Sequence, residues 1–248
     1  MQKVSVITMT YNDCAHLKSC VEQVVRQDYE NLEYIIVDGG STDGSLDVIR
    51  ETEKQLGKHL KWVSEPDNGL YDALNKGIKM ATGDIIGLMC DRFADEHVIS
   101  EIVETMEREN ADGVHGDVDY MENGRTVRCW RMGEGTLNEG WMPAHPTLYL
   151  KKEVYRKYGF YKTDYKIAAD YEYMVRILKD GSVKLAYIPR VLVQMNHGEN
   201  STSTGGPDTY ILSFMEGRRA LRENHMPHPL YTCILRTFRV IRQFADAK

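Results

Sequence analysis

The chain has 248 residues, enough for one large α/β domain and too few for several. Its 42% hydrophobic and 27% charged residues are ordinary for a soluble globular protein, and its net charge of −6 argues against bulk attraction to nucleic acid. Its five cysteines form no CxxC pair, which argues against a disulfide framework or a zinc site and favours reduced thiols in a cytoplasmic protein.

The first half of the chain alternates predicted strands with predicted helices. It starts directly with a strand, without a signal-like apolar core, and no later window has the ~18 apolar residues of a membrane span. Strands are predicted at residues 4–9, 32–37, 60–63 and 84–89, with helices at 15–27, 46–56 and 71–81 and a further helix that begins near Val98. This alternation indicates right-handed βαβ units and a largely parallel sheet.

After residue 113 the pattern changes. Two β-rich runs, 118–121 and 125–130, flank the hairpin turn signal Glu122–Gly124. A short strand near Leu148, helices at 152–158 and 170–179, and strands at 183–188 and 191–195 follow, with Pro189 predicted to separate the last two strands. Residues 196–207 predict a long loop, and helices at 209–224 and 230–245 close the chain.

Acidic or polar residues follow four of the predicted strands. They are Tyr11 and Asn12, Asp38, Asp67, and Asp91. Because open α/β sheets bind ligands outside the carboxyl ends of their strands, this arrangement suits a nucleotide diphosphate. Asp38 can accept a hydrogen bond from a uracil N–H, Tyr11 can lie against the base, and Asp67 with Lys76 can meet ribose or phosphate. A carboxylate at Asp91 can hold a divalent cation together with waters and phosphate oxygens, whereas the alternative for each acid is a structural cap.

Six segments together resemble the family-two glycosyltransferases of the GT-A fold, especially bacterial envelope and exopolysaccharide enzymes. They are VSVITMTYN at Val4–Asn12, IIVDGGSTDG at Ile35–Gly44, SEPDNGLYDALNKG at Ser64–Gly77, ATGDIIG at Ala81–Gly87, HPTLYLKK at His145–Lys152 and KIAADYEY at Lys166–Tyr173. They cover most of residues 3 to 200 in the family's order. The resemblance implies an α/β fold with a Rossmann-like, mostly parallel sheet flanked by helices, a nucleotide-sugar donor that is usually a UDP-sugar, and inversion at the anomeric carbon.

The resemblance also implies a division of the chain. The GT-A domain would span residues 1–206, with a nucleotide-sugar-binding half at 1–112 and an acceptor and catalytic half at 113–206. Residues 207–248 would form a C-terminal amphipathic helical extension.

Residue roles carry over from the resemblance position by position. The nucleotide-sugar set is Thr10, Tyr11, Asn12, Asp38, Asp67, Lys76, Asp91 and Arg92. Asp170 matches the family's general base, Glu172 is the second candidate acid, and Trp141 and His145 fall on the acceptor side. An acceptor hydroxyl must lose its proton as it attacks the sugar carbon, so a base is required. The alternative for Asp170 is a helix N-cap, and for His145 a packed loop histidine.

The metal-binding turn departs from the family's pattern. A Ser-Asp-Asp-like sequence usually follows the fourth strand, whereas this chain has one acid, Asp91, followed by Arg92. Asp91 remains the natural ligand for Mg²⁺ or Mn²⁺, with His197 as a further candidate for metal or phosphate. Arg92 can alternatively neutralise phosphate charge itself.

The two C-terminal helices carry a separate signal. Apolar residues follow one face of the last helix, while arginines crowd another. The apolar set is Leu230, Ile234, Phe238, Ile241 and Ala245, and the arginines are Arg236, Arg239 and Arg242, joined by Arg218, Arg219 and Arg222. The pattern predicts peripheral contact with an anionic membrane, at the inner face of the cytoplasmic membrane, or packing on the domain or on a second subunit of a homo-oligomer.

Three functions fit these observations. The leading hypothesis is an inverting glycosyltransferase that moves a sugar from a nucleotide-diphosphate sugar to a hydroxyl of a cell-surface glycan or a lipid-linked oligosaccharide. A sugar nucleotidyltransferase is disfavoured because residues 8–13 lack the glycine and the basic residue of its phosphate loop. A non-catalytic sugar-nucleotide-binding or scaffolding subunit is the third hypothesis, and the departure at Arg92 keeps it open.

Overall fold

The computed structural model describes residues 1–197 and 207–245, which form one nine-stranded sheet with helices on both faces. The strands are β1 Val4–Thr10, β2 Leu32–Asp38, β3 Leu60–Ser64, β4 Ile85–Leu88, β5 Arg92–Phe93, β6 Gly113–Glu122, β7 Arg125–Trp130, β8 Tyr149–Lys151 and β9 Leu185–Asn196. The helices are α1 Cys14–Val25, α2 Ser45–Leu56, α3 Leu70–Met80, α4 Val98–Glu109, α5 Lys152–Tyr158, α6 Ala169–Leu178, α7 Pro207–Glu223 and α8 Pro229–Ala245.

The strand order along the sheet is β3-β2-β1-β4-β8-β6-β9-β5, with β7 paired to β6. β1 pairs in parallel with both β2 and β4, and β2 pairs in parallel with β3. In this register Thr10, Asp38 and Ser64 stand side by side at the strand ends. The predicted convergence of these strand ends at one edge of the sheet is therefore present.

The second half of the sheet mixes strand directions. β8 is antiparallel to both β4 and β6, which leaves β6 parallel to the first four strands. β9 continues parallel to β6, while β5 and β7 are antiparallel edge strands. The predicted hairpin turn joins β6 and β7 through Asn123 and Gly124, whose φ angles are 50° and 76°. The predicted α/β fold with a mostly parallel sheet is confirmed, although the two-residue strand β5 was not predicted.

The strand β9 differs from the prediction at Pro189. Two strands were predicted on either side of the proline, whereas one strand runs through it from Leu185 to Asn196. The pairing with β6 shifts there: Gly116 is opposite Ile188, and Asp117 is opposite Val191. Proline has no N–H to donate to a ladder, so it is accommodated in a bulge rather than ending the strand.

Two apolar layers cover the faces of the sheet. Helices α1, α2 and α4 contribute Leu17, Ile49 and Ile102 to one layer. Helices α3, α5 and α6 contribute to the other, and α7 and α8 add Leu221 and Cys233 to it. The C-terminal helices therefore pack on the same side as α6, which carries Asp170. Within the described ranges, none of the helices is long and apolar enough to cross a membrane.

Candidate active site

One cavity of about 1260 Å³ contains most of the acceptor-side and catalytic candidates. It lies beside the carboxyl end of β4 and is bordered on the far side by α7 and α8. Asp91, Asp170, His145 and Trp141 line it, as do Tyr71 of α3 and Asn196 at the end of β9. The structure therefore brings together residues far apart in the sequence, such as Asp91 and Asn196, which are 105 positions apart.

Asp170 lies in the first turn of α6, where the helix dipole favours a negative charge. Its Oδ1 atom accepts a hydrogen bond from the backbone N–H of Tyr171 at 2.8 Å and from the Tyr71 hydroxyl at 3.3 Å. Oδ2 has no hydrogen-bond partner in residues 1–197 and 207–245. One oxygen of Asp170 is thus held in place, and the other can accept a proton from a bound hydroxyl.

The segment that precedes Asp170 is fastened by a side chain from the C-terminal helices. Glu216 of α7 is buried, and its carboxylate accepts from the backbone N–H groups of Lys166, Ile167 and Ala168 at 2.8 to 3.0 Å. These donors precede the first turn of α6, so a carboxylate from another helix fixes the start of α6. This role of Glu216 has no local signal in the sequence, because the contact joins residues 48 to 50 positions apart.

Glu172, the predicted second acid, does not line the cavity. It is fully buried on the opposite side of α6. Its carboxylate contacts Arg176 at 2.9 Å, Lys162 at 3.0 Å and the Asn224 amide at 3.1 Å. The structure therefore corrects this assignment: Glu172 is the centre of a buried ion-pair network that joins α6 to the end of α7.

His145 and Trp141 both line the cavity, but Trp141 is more deeply buried than His145. The Nε2 atom of His145 lies 2.9 Å from the Tyr161 hydroxyl, and burial lowers the pKa of the imidazole. The indole N–H of Trp141 donates to the backbone carbonyls of Met132 and Gly133, and its ring is only 7% exposed. Trp141 therefore forms a fixed wall of the cavity, whereas the half-buried His145 can contact a ligand.

Asp91 also lines the cavity and is held by Asn196. The Asn196 backbone N–H donates to Oδ2 at 2.5 Å, and its side-chain amide donates to Oδ1 at 3.1 Å. Burial raises the pKa of the Asp91 carboxyl. Asp13 and His16, near the start of α1, line the same cavity. Neither these two residues nor Asn196 was predicted from the sequence to lie near Asp91.

The Asp91 carboxylate can serve as one protein ligand of a divalent cation at this site. No group of three His, Cys, Asp or Glu side chains in the described part of the chain is arranged to hold a metal ion. Asp91 supplies a hard oxygen donor that Mg²⁺ or Mn²⁺ accepts, and both ions commonly take their remaining ligands from phosphates and waters.

The two other phosphate or metal candidates lie outside the cavity. Arg92 is exposed on the edge strand β5, opposite Gln194 of β9. The ring of His197 contacts the Tyr120 and Phe244 rings edge-on, with centroids 6.3 and 6.2 Å apart. Its Nδ1 atom is buried and has no hydrogen-bond partner among the described residues. Within the described residues, neither side chain forms a hydrogen bond or an ion pair with Asp91.

A second candidate site lies at the strand ends, where the Tyr11 ring and the Asp67 carboxylate approach the Gly39 backbone, and it is named here the nucleotide recess. A Cβ atom at Gly39 would be 2.8 Å from the Asp67 carboxylate and 3.1 Å from the Tyr11 ring. The bare backbone of Gly39 thus separates an aromatic ring that is 65% exposed from a carboxylate. An exposed ring, a backbone turn without side chains and a nearby carboxylate are suited to a flat heterocycle with a polar edge.

Asp38 lies beneath this recess, in a role that differs from the predicted one. Its carboxylate is fully buried and accepts from the backbone N–H groups of Gly40 and Ser41 and from the Ser64 hydroxyl, at 3.2, 3.0 and 2.6 Å. The Ser41 hydroxyl is a fourth donor. Asp38 therefore holds the glycine turn from below, and no oxygen of it is exposed to a base.

Of the remaining nucleotide candidates, Asn12 and Lys76 hold the loops around the nucleotide recess in place. The Asn12 side chain accepts from the backbone N–H of Thr42 at 2.8 Å, which joins the loop after β1 to the loop after β2. Lys76 contacts Glu65 at 2.9 Å and the Pro66 carbonyl at 3.0 Å, and the hydrogen bond to Glu65 raises the pKa of its ammonium group. The Thr10 hydroxyl is buried and has no partner among the described residues.

Known proteins are similar to this chain in sequence. A profile of the family described as Glycosyl transferase family 2 matches residues 5–170. A PGL/p-HBAD biosynthesis glycosyltransferase of Mycobacterium tuberculosis is 26% identical over 196 residues, which cover 77% of this chain and 76% of the relative. Another protein of that organism, named an uncharacterized glycosyltransferase, is 30% identical over 191 residues, which cover 70% of this chain and 68% of the relative.

Solved structures share the fold at low sequence identity. Staphylococcus aureus TarS 1–349 in complex with UDP-GlcNAc has a TM-score of 0.73 at 16% identity, over 99% of this chain and 73% of that chain. The mannosyltransferase PcManGT of Pyrobaculum calidifontis, in complex with GDP-Man and Mn²⁺, has a TM-score of 0.70 at 19% identity, over 99% and 74%. This chain spans 43% of a longer TarS chain, with a TM-score of 0.73 and 17% identity. The chain therefore belongs to glycosyltransferase family 2, a family of sugar-transferring enzymes of class EC 2.4, and has the GT-A fold.

Proposed function

We propose that the protein is an inverting glycosyltransferase that moves a sugar from a UDP-sugar to a hydroxyl group of a cell-surface glycan or a lipid-linked oligosaccharide. The observation that carries the proposal is the free Oδ2 atom of Asp170, which lies in one cavity with Asp91. A base on the acceptor side and a cation-holding carboxylate on the leaving-group side are what a single displacement at the anomeric carbon requires.

In this mechanism the nucleotide binds at the strand ends. The base lies against the exposed Tyr11 ring at the nucleotide recess, with its polar edge toward Asp67, and the diphosphate extends toward Asp91. That direction agrees with the positions of β1, β2 and β4, which are adjacent in the sheet. Asp91 would hold a divalent cation, whose positive charge would stabilise the diphosphate as a leaving group.

Asp170 removes the proton from the acceptor hydroxyl as the hydroxyl oxygen attacks the anomeric carbon. The bond between that carbon and the diphosphate oxygen breaks, and UDP leaves with its electron pair. Because the attack is made from the face opposite to the leaving group, the configuration at the anomeric carbon inverts. The Tyr71 hydroxyl orients the carboxylate through Oδ1, which leaves Oδ2 for the proton.

The relatives support the chemical class of the donor and of the acceptor. Solved structures with this fold hold UDP, UDP-GlcNAc or GDP-Man, and one of them holds Mn²⁺. A sequence relative is named for PGL/p-HBAD biosynthesis. We place the protein in the cytoplasm, where nucleotide sugars are available and thiols stay reduced, in agreement with its five free cysteines.

Release of UDP from a panel of UDP-sugars, with GDP-mannose as the competing donor, tests the proposal. With an extract of lipid-linked acceptors, we expect release from one UDP-sugar to exceed release from the others at least tenfold. The anomeric configuration of the product, read by NMR, should be opposite to that of the donor. UDP binding without turnover of any donor would instead identify a non-catalytic sugar-nucleotide-binding subunit.

The substitution Gly39→Ala tests the nucleotide recess. The added Cβ would lie 2.8 Å from the Asp67 carboxylate, so Asp67 must move and the recess narrows. We expect the Kd for UDP to rise roughly tenfold, measured by calorimetric titration. Asn68→Ala, in the exposed loop next to Asp67, is the matched control and should leave the Kd unchanged. If Gly39→Ala and Asn68→Ala bind UDP with the same Kd, the uracil ring binds at another site.

The substitution Tyr71→Phe tests the orientation of the base. It removes the hydrogen bond to Asp170 but keeps the ring that packs against Tyr161. Since a hydrogen bond to a charged group contributes about 1.5 kcal/mol, we expect kcat to fall about tenfold with the KM for the donor unchanged. A change in KM with a normal kcat would assign Tyr71 to donor binding instead.

A further inference from the structure

The C-terminal helices expose a continuous apolar surface, named here the C-terminal face. On α8, Leu230, Tyr231, Ile234, Phe238 and Ile241 are 39% to 61% exposed. At about 100° per residue, these five side chains fall within an arc of about 100°. On α7, Ile211 and Met215 are 59% and 62% exposed and lie one turn apart. Large apolar side chains that cluster in this way mark an interaction surface.

Arginines border the C-terminal face. Arg218 and Arg222 continue the stripe of Ile211 and Met215 along α7, at i+7 and i+11 from Ile211, and Arg242 follows Ile241 on α8. All three are exposed, and none of them forms an ion pair within residues 1–197 and 207–245. The α8 sequence contains no acidic residue. The border is therefore positive, although the whole chain has a net charge of −6.

A cationic notch of about 400 Å³ lies where α7 turns into α8. Arg218, Arg222 and His228 line it, together with Leu230 and Tyr231 of the C-terminal face. Guanidinium groups bind phosphate with good geometry, and here they stand directly beside exposed apolar side chains. A lipid presents the same combination, with an anionic phosphate above its acyl chains.

We propose that the C-terminal face docks on the surface of an anionic lipid bilayer. The apolar side chains enter the boundary between headgroups and acyl chains, and Arg218, Arg222 and Arg242 contact lipid phosphates. A second copy of the chain is a poorer occupant, because a two-fold symmetric contact would bring the same unpaired arginines together.

Docking in this orientation would bring the cavity to the membrane. Ile211 and Met215 of the C-terminal face also line the cavity that contains Asp170. An acceptor anchored in the bilayer would therefore enter the cavity from its membrane side. This last step rests on the proposed function, whereas docking itself does not.

Co-sedimentation of the full chain with vesicles tests the docking. The vesicles are phosphatidylcholine alone or phosphatidylcholine mixed equally with phosphatidylglycerol. We expect binding to the anionic vesicles that weakens with added salt. The double variant Arg218→Gln, Arg222→Gln should bind about 30-fold more weakly. Phe238→Ser with Ile241→Ser should weaken binding to both kinds of vesicle.

Matched controls come from exposed residues on other faces of the protein. Arg50→Gln with Arg156→Gln removes two exposed arginines, and Phe160→Ser removes an exposed aromatic ring. Both controls should bind vesicles like the unchanged chain. Equal binding by all variants, or no binding of the unchanged chain, overturns the proposal. A dimer that Phe238→Ser with Ile241→Ser converts to a monomer, without vesicle binding, also overturns it and assigns the face to a second subunit. The assay does not measure sugar transfer, so its failure is distinct from failure of the proposed function.

Discussion

Asp170→Asn is expected to lower kcat about 10³-fold, because an amide cannot take the acceptor proton at neutral pH. The amide has the size of the carboxylate, so its carbonyl oxygen can still accept from Tyr71 and from the backbone N–H of Tyr171. The cavity should therefore keep its shape, and the Kd for UDP should stay within about twofold of its original value.

Single-turnover kinetics and calorimetric titration of UDP separate these two effects. Asp47→Asn, a change of the same kind at an 84% exposed position on α2, is the matched control and should leave both quantities unchanged. Retained turnover in Asp170→Asn would remove Asp170 as the base. A large loss of UDP affinity would show that its carboxylate acts on the donor instead.

Glu172→Ala is expected to lower the free energy of unfolding, although Glu172 lies only two residues from the proposed base Asp170. Its carboxylate is fully buried between Arg176 and Lys162, so its removal leaves the largely buried Arg176 without a carboxylate and Lys162 with Glu223 alone. Breaking a buried ion pair in this way costs about 3 to 5 kcal/mol. For a chain of this length, that corresponds to a fall in Tm of roughly 6 to 20 °C.

Thermal unfolding followed by circular dichroism measures this effect. Glu153→Ala removes an ion pair with Arg156 on the surface of α5, where both side chains are more than 60% exposed, and should cost less than about 1 kcal/mol. Glu172→Gln, which keeps the shape of the side chain, should leave kcat of the folded protein within a few-fold. A large loss of kcat in Glu172→Gln with a normal Tm would return Glu172 to the chemistry.

The different fates of Asp170 and Glu172 show what the sequence could predict and what it could not. The motif places two acids in the first turn of one helix, and composition does not distinguish them. Helical geometry does, because residues two positions apart point about 200° away from each other. Only one of the two could therefore face the cavity, and the structure shows that it is Asp170.

The helices and strands of the first half were predictable because the apolar residues of each follow the spacing of a helix or of a buried strand. The apolar spacing of α3 and the continuous apolar run of β2 follow the local periods of a helix and of a buried strand. The two-residue strand β5 has no period, and the direction of β8 depends on pairing partners distant in sequence. Sequence patterns therefore predicted the layers of the fold better than its edges.

The side chains that position the site were not predictable for the same reason. Tyr71 meets Asp170 across 99 residues, and Asn196 meets Asp91 across 105. In the sequence Tyr71 is simply one apolar residue on the buried stripe of α3. Asp38 shows the converse. Its position at a strand end was predicted, whereas its burial beneath four hydrogen-bond donors depends on Ser41 and Ser64.

The bulge at Pro189 and the register shift that follows it determine which residue ends β9 beside Asp91. Gly116 is paired with Ile188, but Met121 is paired with Asn196, so five steps along β6 correspond to eight along β9. An unbroken ladder would put Val193 opposite Met121 and carry Asn196 about 10 Å further along the sheet. The three additional residues thus act as a spacer that brings an amide, and not a valine, to the carboxylate of Asp91. The irregular pairing that begins at Pro189, in a segment without any catalytic motif, thereby determines which residue of β9 holds Asp91.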